Sequence, residues 1–152
     1  MSREAAKPKS FKTYLLVIKL SKDEVLQTGK PGYRHFQKGY YFYAGSAKKG
    51  FAGRLKRHLC RKKNLFWHID YLLSSENSRV KEVWAAVDEV ECYTARRFYG
   101  AGYFFVDNFG SSDCSCRSHL FFSPENIEAA RDLLVKSNFI RYMHESFRNQ
   151  RN

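Results

Sequence analysis

Two tyrosines, an arginine and a histidine are spaced so that they can converge on one ligand. Tyr14 opens one apolar run, Tyr43 lies in Tyr43-Ala44-Gly45 at the end of another, and Arg54 and His58 follow in a basic segment. Arg54 and His58 are one helical turn apart and so share a helix face. The same residue types also occur as packing tyrosines and a solvated basic face, so spacing alone leaves catalysis, binding and structure open. A second group comes later in the chain. Cys114-Ser115-Cys116 with His119 offers thiols and an imidazole, the ligand types of zinc. Zinc is not expected from the spacing, because structural sites add a second cysteine pair to the first, and Cys60 and Cys92 are isolated singles. Ser111, Ser112, Asp113 and His119 are expected instead to form a polar loop beside the tyrosines, exposing backbone donors and short side chains to an anion. Asp113 would then partner a histidine or supply an acid. His68 and Asp70 are two residues apart and do not share a helix face, so His68 is expected as a structural histidine or one turned toward Arg54. Trp67 and exposed tyrosines could stack on unpaired bases.

The charge says what kind of ligand to expect. With 27 Lys and Arg against 15 Asp and Glu, the 152-residue chain carries +12 with histidine neutral. Hydrophobic residues make up 43% and aromatic residues 16%, which excludes a disordered basic tail and places the charge on a folded body. A cationic face attracts polyanions, nucleic acid first, with acidic proteins and anionic lipid heads behind it. No uncharged stretch approaches the roughly 20 apolar residues that cross a bilayer. Residues 1–10 lack the apolar core of a secretory signal, so a cytoplasmic protein with reduced cysteines and no membrane partner is expected.

These residues must be held by a small number of elements. Residues 1–11 read as a flexible basic lead and 12–152 as one domain. Tyr14-Leu15-Leu16-Val17-Ile18 is a central strand by its unbroken apolar character, and Tyr40-Tyr41-Phe42-Tyr43-Ala44 is a second, joined by a long connection over 21–39. Residues 53–62 follow helical spacing, with Leu55 and Leu59 on one stripe and Arg54, Lys56, Arg57, Arg61 and Lys62 elsewhere. Asn64 could cap a second helix, 80–87 reads as a third strand, and a short helix covers 89–98. A loop rich in glycine, serine and aromatics follows, with strands at 103–106 and 119–122. Ser123-Pro124-Glu125 reads as a helix start, and Phe139, Met143 and Phe147 extend that helix to the C-terminus. The fold expected is α/β, a three-stranded, mostly antiparallel central sheet flanked by helices, with an added C-terminal strand and helix.

In this order the fragments Lys12-Thr13-Tyr14, Tyr43-Ala44-Gly45 and Gly53-Arg54 with His58 resemble the core pattern of the GIY-YIG nuclease superfamily. The stretches Phe66-Trp67-His68-Ile69-Asp70-Tyr71-Leu72 and Phe109-Gly110-Ser111-Ser112-Asp113-Cys114-Ser115-Cys116-Arg117-Ser118-His119-Leu120 resemble the signatures of a poorly characterised branch of it. Members of that branch occur alone or fused to an endonuclease-III-type repair enzyme. The resemblance runs from about Tyr14 to Phe122 and implies metal-dependent hydrolysis of DNA phosphodiester bonds, in repair or processing. It implies that Tyr14 and Tyr43 help to activate the nucleophile, that Arg54 stabilises phosphate charge, and that His58 occupies a position where members carry histidine or tyrosine. It further implies a glutamate on the third helix holding one Mg2+ or Mn2+ ion, for which Glu91 is the candidate, about a turn earlier than members place it.

A tyrosine with a pKa near 10 is a poor base at neutral pH, so Arg54, Lys48 or a metal would have to lower it, with Lys49 as a second helper. Lys48, Lys49, Arg57, Arg61, Lys62, Arg96 and Arg97 would contact phosphates. Two other readings stay open: a non-catalytic nucleic-acid-binding module on the same scaffold, and an interaction domain whose basic face meets an acidic partner such as a repair enzyme.

Overall fold

The structure, a computed structural model, describes residues 10–29, 32–60 and 63–144. Arg61 and Lys62, the basic lead before Ser10 and Phe147 lie outside those residues. The centre is β1 (Thr13–Leu20), whose side chains are buried at every position except Lys19. It pairs antiparallel with β4 (Gly39–Ser46) on one side and with β5 (Ser78–Ala86) on the other. A strand with partners on both edges and cover on both faces must be apolar throughout, which is why its sequence shows no alternation.

Its two faces feed two cores. Tyr14, Leu16, Ile18 and Leu20 pack with Phe51, Leu55, Ile69 and Leu72, residues of α1 (Phe51–Leu59) and α2 (His68–Leu73). Leu15 and Val17 point the other way, to Ala95, Phe98, Ala130 and Leu134 of α3 (Glu91–Gly100) and α4 (Glu128–Lys136). The architecture is therefore α/β, with one helix pair on each face of an antiparallel sheet.

The sheet has six strands where a three-stranded centre with an added C-terminal strand was expected. Its order is β6-β7-β4-β1-β5-β8, with β6 at Phe104–Phe105, β7 at Leu120–Ser123 and β8 at Ile140–His144. Tyr43 pairs with Leu120 and Phe42 with Phe121, so the second tyrosine strand is an interior strand whose outer edge is covered. The C-terminal helix expected through Met143 is instead β8 against β5. Asn138, at φ 67°, sits in the left-handed region that ends a helix, and the chain turns back after it. Phe139 then joins the α3/α4 core while Ile140 packs toward the α1/α2 core, the period of two that a strand imposes.

Three further boundaries differ from expectation. The 21–39 connection contains a separate hairpin of β2 (Glu24–Gln27) and β3 (Tyr33–Phe36). The second helix starts at His68 rather than after Asn64, because the Asp70 carboxylate accepts the backbone N–H groups of Phe66 and Trp67, both at 2.8 Å. The last helix starts at Glu128, since Ser123 Oγ accepts the N–H of Asn126 and Asn126 Oδ1 accepts that of Glu128. No helix among the described residues is long and apolar enough to cross a membrane.

One charge sits inside the sheet. Glu82 of β5 is only 4% exposed and receives the Arg131 guanidinium from α4 and the Trp84 indole N–H at 3.0 Å. Burial would raise its pKa, but the hydrogen bonds from Arg131 and Trp84 together with the charges of Arg141 and Arg131 hold the carboxyl below its usual range. The stabilisation is thus complete above the ordinary carboxylate pKa and is lost as pH falls through the depressed one. Removing one partner of a buried pair leaves a charge uncompensated, so Arg131→Ala is expected to cost about 3 kcal/mol at neutral pH. In urea unfolding the difference from the natural chain should shrink in acid, where Glu82 becomes neutral.

Candidate active site

Tyr14 and Tyr43 lie on adjacent strands, on the face that α1 and α2 cover, with ring centroids 6.4 Å apart. Each ring rests on a glycine. Tyr14 lies across the strand from Gly45, and a Cβ there would collide with its ring carbon and hydroxyl. Tyr43 rests on Gly110, at φ 70°, where a Cβ would lie 2.8 Å from the ring. The glycine of Tyr43-Ala44-Gly45 therefore serves the other tyrosine, and the glycine of the later loop serves Tyr43.

Around the rings opens a cleft of about 370 Å³. Tyr14, Tyr43, Arg54, His68, Glu91, Ser112, Asp113 and His119 all line it, with Gly45, Gly110 and Phe66 at its walls. Residues from β1, β4, α1, α2, α3 and the 107–119 loop thus meet in one place. Of the four residues expected to act in catalysis, Tyr14, Tyr43 and Arg54 line it and His58 stands behind it. It is 2% exposed, its Nε2 shares a 2.6 Å hydrogen bond with the Tyr14 hydroxyl, and its Nδ1 is buried with no hydrogen-bond partner.

The electrostatics keep this group neutral. Burial, reinforced by Tyr43, pushes the Tyr14 hydroxyl well above its usual pKa, and the Arg54 guanidinium only partly opposes this. Tyr43 is raised as well, by burial first. His58 is pushed down to about 3 by burial and by the cations of Lys63, Arg57 and Arg54. At neutral pH two phenols and an uncharged imidazole therefore face a guanidinium.

Trp67 is engaged by two cations rather than free to stack on a base. Arg54 and Arg57 each sit 4.7 Å from its ring centre. Arg57 is further committed to the buried Asp70 at 2.8 Å and to the Asn64 carbonyl at 2.9 Å, which removes it from the expected phosphate contacts. Asp70 so links the Arg57 side chain to the start of α2 and fixes Trp67 beneath Arg54. The exposed aromatic at the rim is Phe66, 77% accessible.

Across the cleft, Glu91 begins α3, and its Oε1 is buried with no hydrogen-bond partner. Glu91 and Asp113 both act electrostatically on His119, although burial is stronger and keeps that ring below its usual pKa. His68 Nδ1 accepts the N–H of Gly110 at 3.2 Å, so the proton of the neutral ring sits on Nε2, a donor. Lys48 pairs with Glu89 at 3.6 Å, and neither Lys48 nor Lys49 lines the cleft. Arg96 lies on the outer side of α3 next to Cys116, and Arg97 donates to the Tyr93 hydroxyl.

Among protein families, the domain of unknown function DUF123 matches the chain over residues 13–140. The chain belongs to the DUF123 family. No curated protein and no solved structure matches it.

In this DUF123 domain, Cys114 and Cys116 do not line the cleft but turn toward α3, where Cys92 and His119 meet them. The four possible metal ligands lie within 4.8 Å of one another. This corrects the expectation drawn from spacing: Cys92 is isolated in sequence but not in space. The one available signal was its place beside Glu91, in the first turn of a helix that packs along β4 and β7.

The neutral His58 has a measurable consequence. Its pKa falls from an ordinary 6.5 to about 3, so between those values the unfolded chain holds the extra proton and stability falls as pH falls. The slope from this residue reaches about 1.4 kcal/mol per pH unit. His58→Gln keeps a polar group toward Tyr14 and removes the titration. Urea unfolding between about pH 6 and 4 should give that variant a shallower acid slope; an unchanged slope would contradict a buried, neutral His58.

Proposed function

We propose that this DUF123 domain is a metal-dependent endonuclease of the GIY-YIG type, hydrolysing phosphodiester bonds of DNA. The observation that supports it most is the meeting of Tyr14, Tyr43, Arg54 and Glu91 in one cleft, with a buried Glu91 oxygen left without a partner. A buried carboxylate oxygen lacking a hydrogen bond is costly, and a cation is the ligand that offsets that cost. The arrangement around it suits a phosphate. Arg54, braced on Trp67, offers a guanidinium, while the protonated Tyr43 hydroxyl and His68 Nε2–H offer neutral donors to non-bridging oxygens.

In this reading the Tyr14 hydroxyl, anchored on His58 Nε2, orients the attacking water in line with the bond to be broken. The water oxygen bonds to phosphorus and gives up one proton to solvent, the P–O ester bond breaks, and the leaving oxygen takes a proton from solvent. Glu91, with Asp113 nearby, would hold Mg2+ or Mn2+, hard cations that favour carboxylate and phosphate oxygen and supply charge to the reacting phosphate. Neither Tyr14 nor His58 is a strong base in this environment, so their part is positioning and transient proton exchange. The +12 charge raises the local concentration of the polyanion. Phe66 at the rim is placed to stack on a base exposed by a nick, flap or branch.

The test is cleavage of nicked, flapped and branched DNA with Mg2+ or Mn2+. Arg54→Ala and Glu91→Gln should each lower the rate by at least about 100-fold, the scale of losing one transition-state donor, while salt-sensitive binding persists. Tyr14→Phe should lower it by about 10- to 100-fold with little change in binding. Binding without cleavage under any metal would replace the enzyme by a binding module. An Arg54→Ala variant of natural activity would refute the site.

A further inference from the structure

We propose that Cys92, Cys114, Cys116 and His119 form a closed structural zinc site, separate from the Glu91 side of the cleft. The first support is geometric. With Zn–S near 2.3 Å and Zn–N near 2.0–2.1 Å, tetrahedral ligands stand about 3.8 Å apart for sulfur pairs and about 3.6 Å for a sulfur–nitrogen pair. His119 Nε2 lies 3.5 Å from Cys114 Sγ and 3.8 Å from Cys92 Sγ, and all four ligand atoms fall within 4.8 Å. That spread suits one ion and is small for a multinuclear cluster.

The chemistry agrees. Three thiols and an imidazole form one of the usual structural zinc sets, and soft sulfur donors disfavour Mg2+ and Ca2+. Binding exchanges three S–H protons for the cation, leaving a site of net charge −1 with His119 neutral. Arg96, whose charge acts on Cys116, balances that charge from outside. The His119 ring donates a hydrogen bond to the Ala44 backbone carbonyl, the outer contact that orients ligand histidines. Four protein ligands fill a tetrahedron and leave no open position for substrate; His119 is buried and the three cysteines are half-buried.

The fold gives such a site work to do. Between Asp107 and Ser118 the chain has no helix or strand, and its base is closed by Asn108 N–H to the Arg117 carbonyl and His119 N–H to the Phe109 carbonyl. Zinc would tie this loop to the first turn of α3 through Cys92. Ser112 and Asp113 precede one ligand, Glu91 precedes another and the ligand His119 itself lines the cleft, so the ion would set the width of the cleft.

The proposal is independent of nuclease activity, and so is its test. Protein made in zinc-supplemented medium and purified under reducing conditions without chelator should contain one zinc per chain by elemental analysis. Replacement by Co2+ should give thiolate-to-cobalt charge transfer and the strong visible bands of tetrahedral coordination. Cys114→Ser and Cys92→Ser should each weaken zinc binding by more than about tenfold, at least the loss seen for outer contacts of such sites, whereas Cys60→Ser and Glu91→Gln should keep one zinc per chain. Retention by Glu91→Gln of zinc but not of cleavage would separate this site from the catalytic one. Zinc far below one per chain, together with no charge-transfer band when the reduced natural chain is titrated with Co2+, would overturn the proposal whether or not any variant folds.

Discussion

The contact between the Tyr14 ring and the backbone of Gly45 is the constraint on which the rest of the site depends. No side chain fits between β1 and β4 at that point, so the phenol lies flat on the neighbouring strand rather than standing out from it. In that position its hydroxyl reaches His58, which sits one turn beyond Arg54 on α1. The helix face that brings His58 inward brings Arg54 to the cleft edge, where Trp67 supports it. A single absent Cβ thus couples two strands and a helix, and Gly110 repeats the device for Tyr43.

The second theme is charge without ionisation. The surroundings are strongly basic, yet the groups nearest the centre are uncharged: burial opposes a phenolate on Tyr14 and Tyr43, and burial with three nearby cations opposes an imidazolium on His58. Neutral donors in a dry site hold an anion without first having to release a counter-charge of their own. The formal charges stand around them, on Arg54, Glu91 and Asp113 at the cleft wall and on Arg57, which is already balanced by Asp70. In the proposed reading such a site would draw a polyanion from a distance and meet it with oriented dipoles and the Arg54 guanidinium.

Much of this was legible in the sequence where local rules decide. The apolar run of β1, the basic helix and the order of strand, strand, helix, helix, strand follow from period and composition. The meeting of Tyr14, Tyr43 and Arg54 followed from that order. What was not legible depended on edges and on contacts between distant segments. Ile140–His144 becomes a strand because β5 has an open edge, which no local pattern records. Arg57 reads as a solvent cation until Asp70 is seen beside it, and Trp67 reads as a stacking surface until two guanidinium groups cover it. Cys92 looked alone because ligand spacing was judged along the chain, whereas α3 folds back across the loop that carries Cys114 and Cys116.

That last point bears on how the two halves of the cleft are built. The wall of Tyr14, Tyr43 and Arg54 is secondary structure, with ladder hydrogen bonds, packed rings and an ion pair holding it in register. The opposite wall holds Glu91 at the first position of a helix and Ser112 and Asp113 on a long loop, segments whose backbone is fixed by few regular hydrogen bonds. Loops and helix starts are the parts of a fold that open most readily. Two carboxylates placed there would repel each other and drift apart unless something else held their backbone. The cluster of Cys92, Cys114, Cys116 and His119 lies at the junction where such a restraint has the shortest path to both carboxylates. A tether at that point would fix Glu91 and Asp113 against the rigid wall while leaving their oxygens free, which is how a loop without helix or strand can contribute to a site that needs fixed geometry.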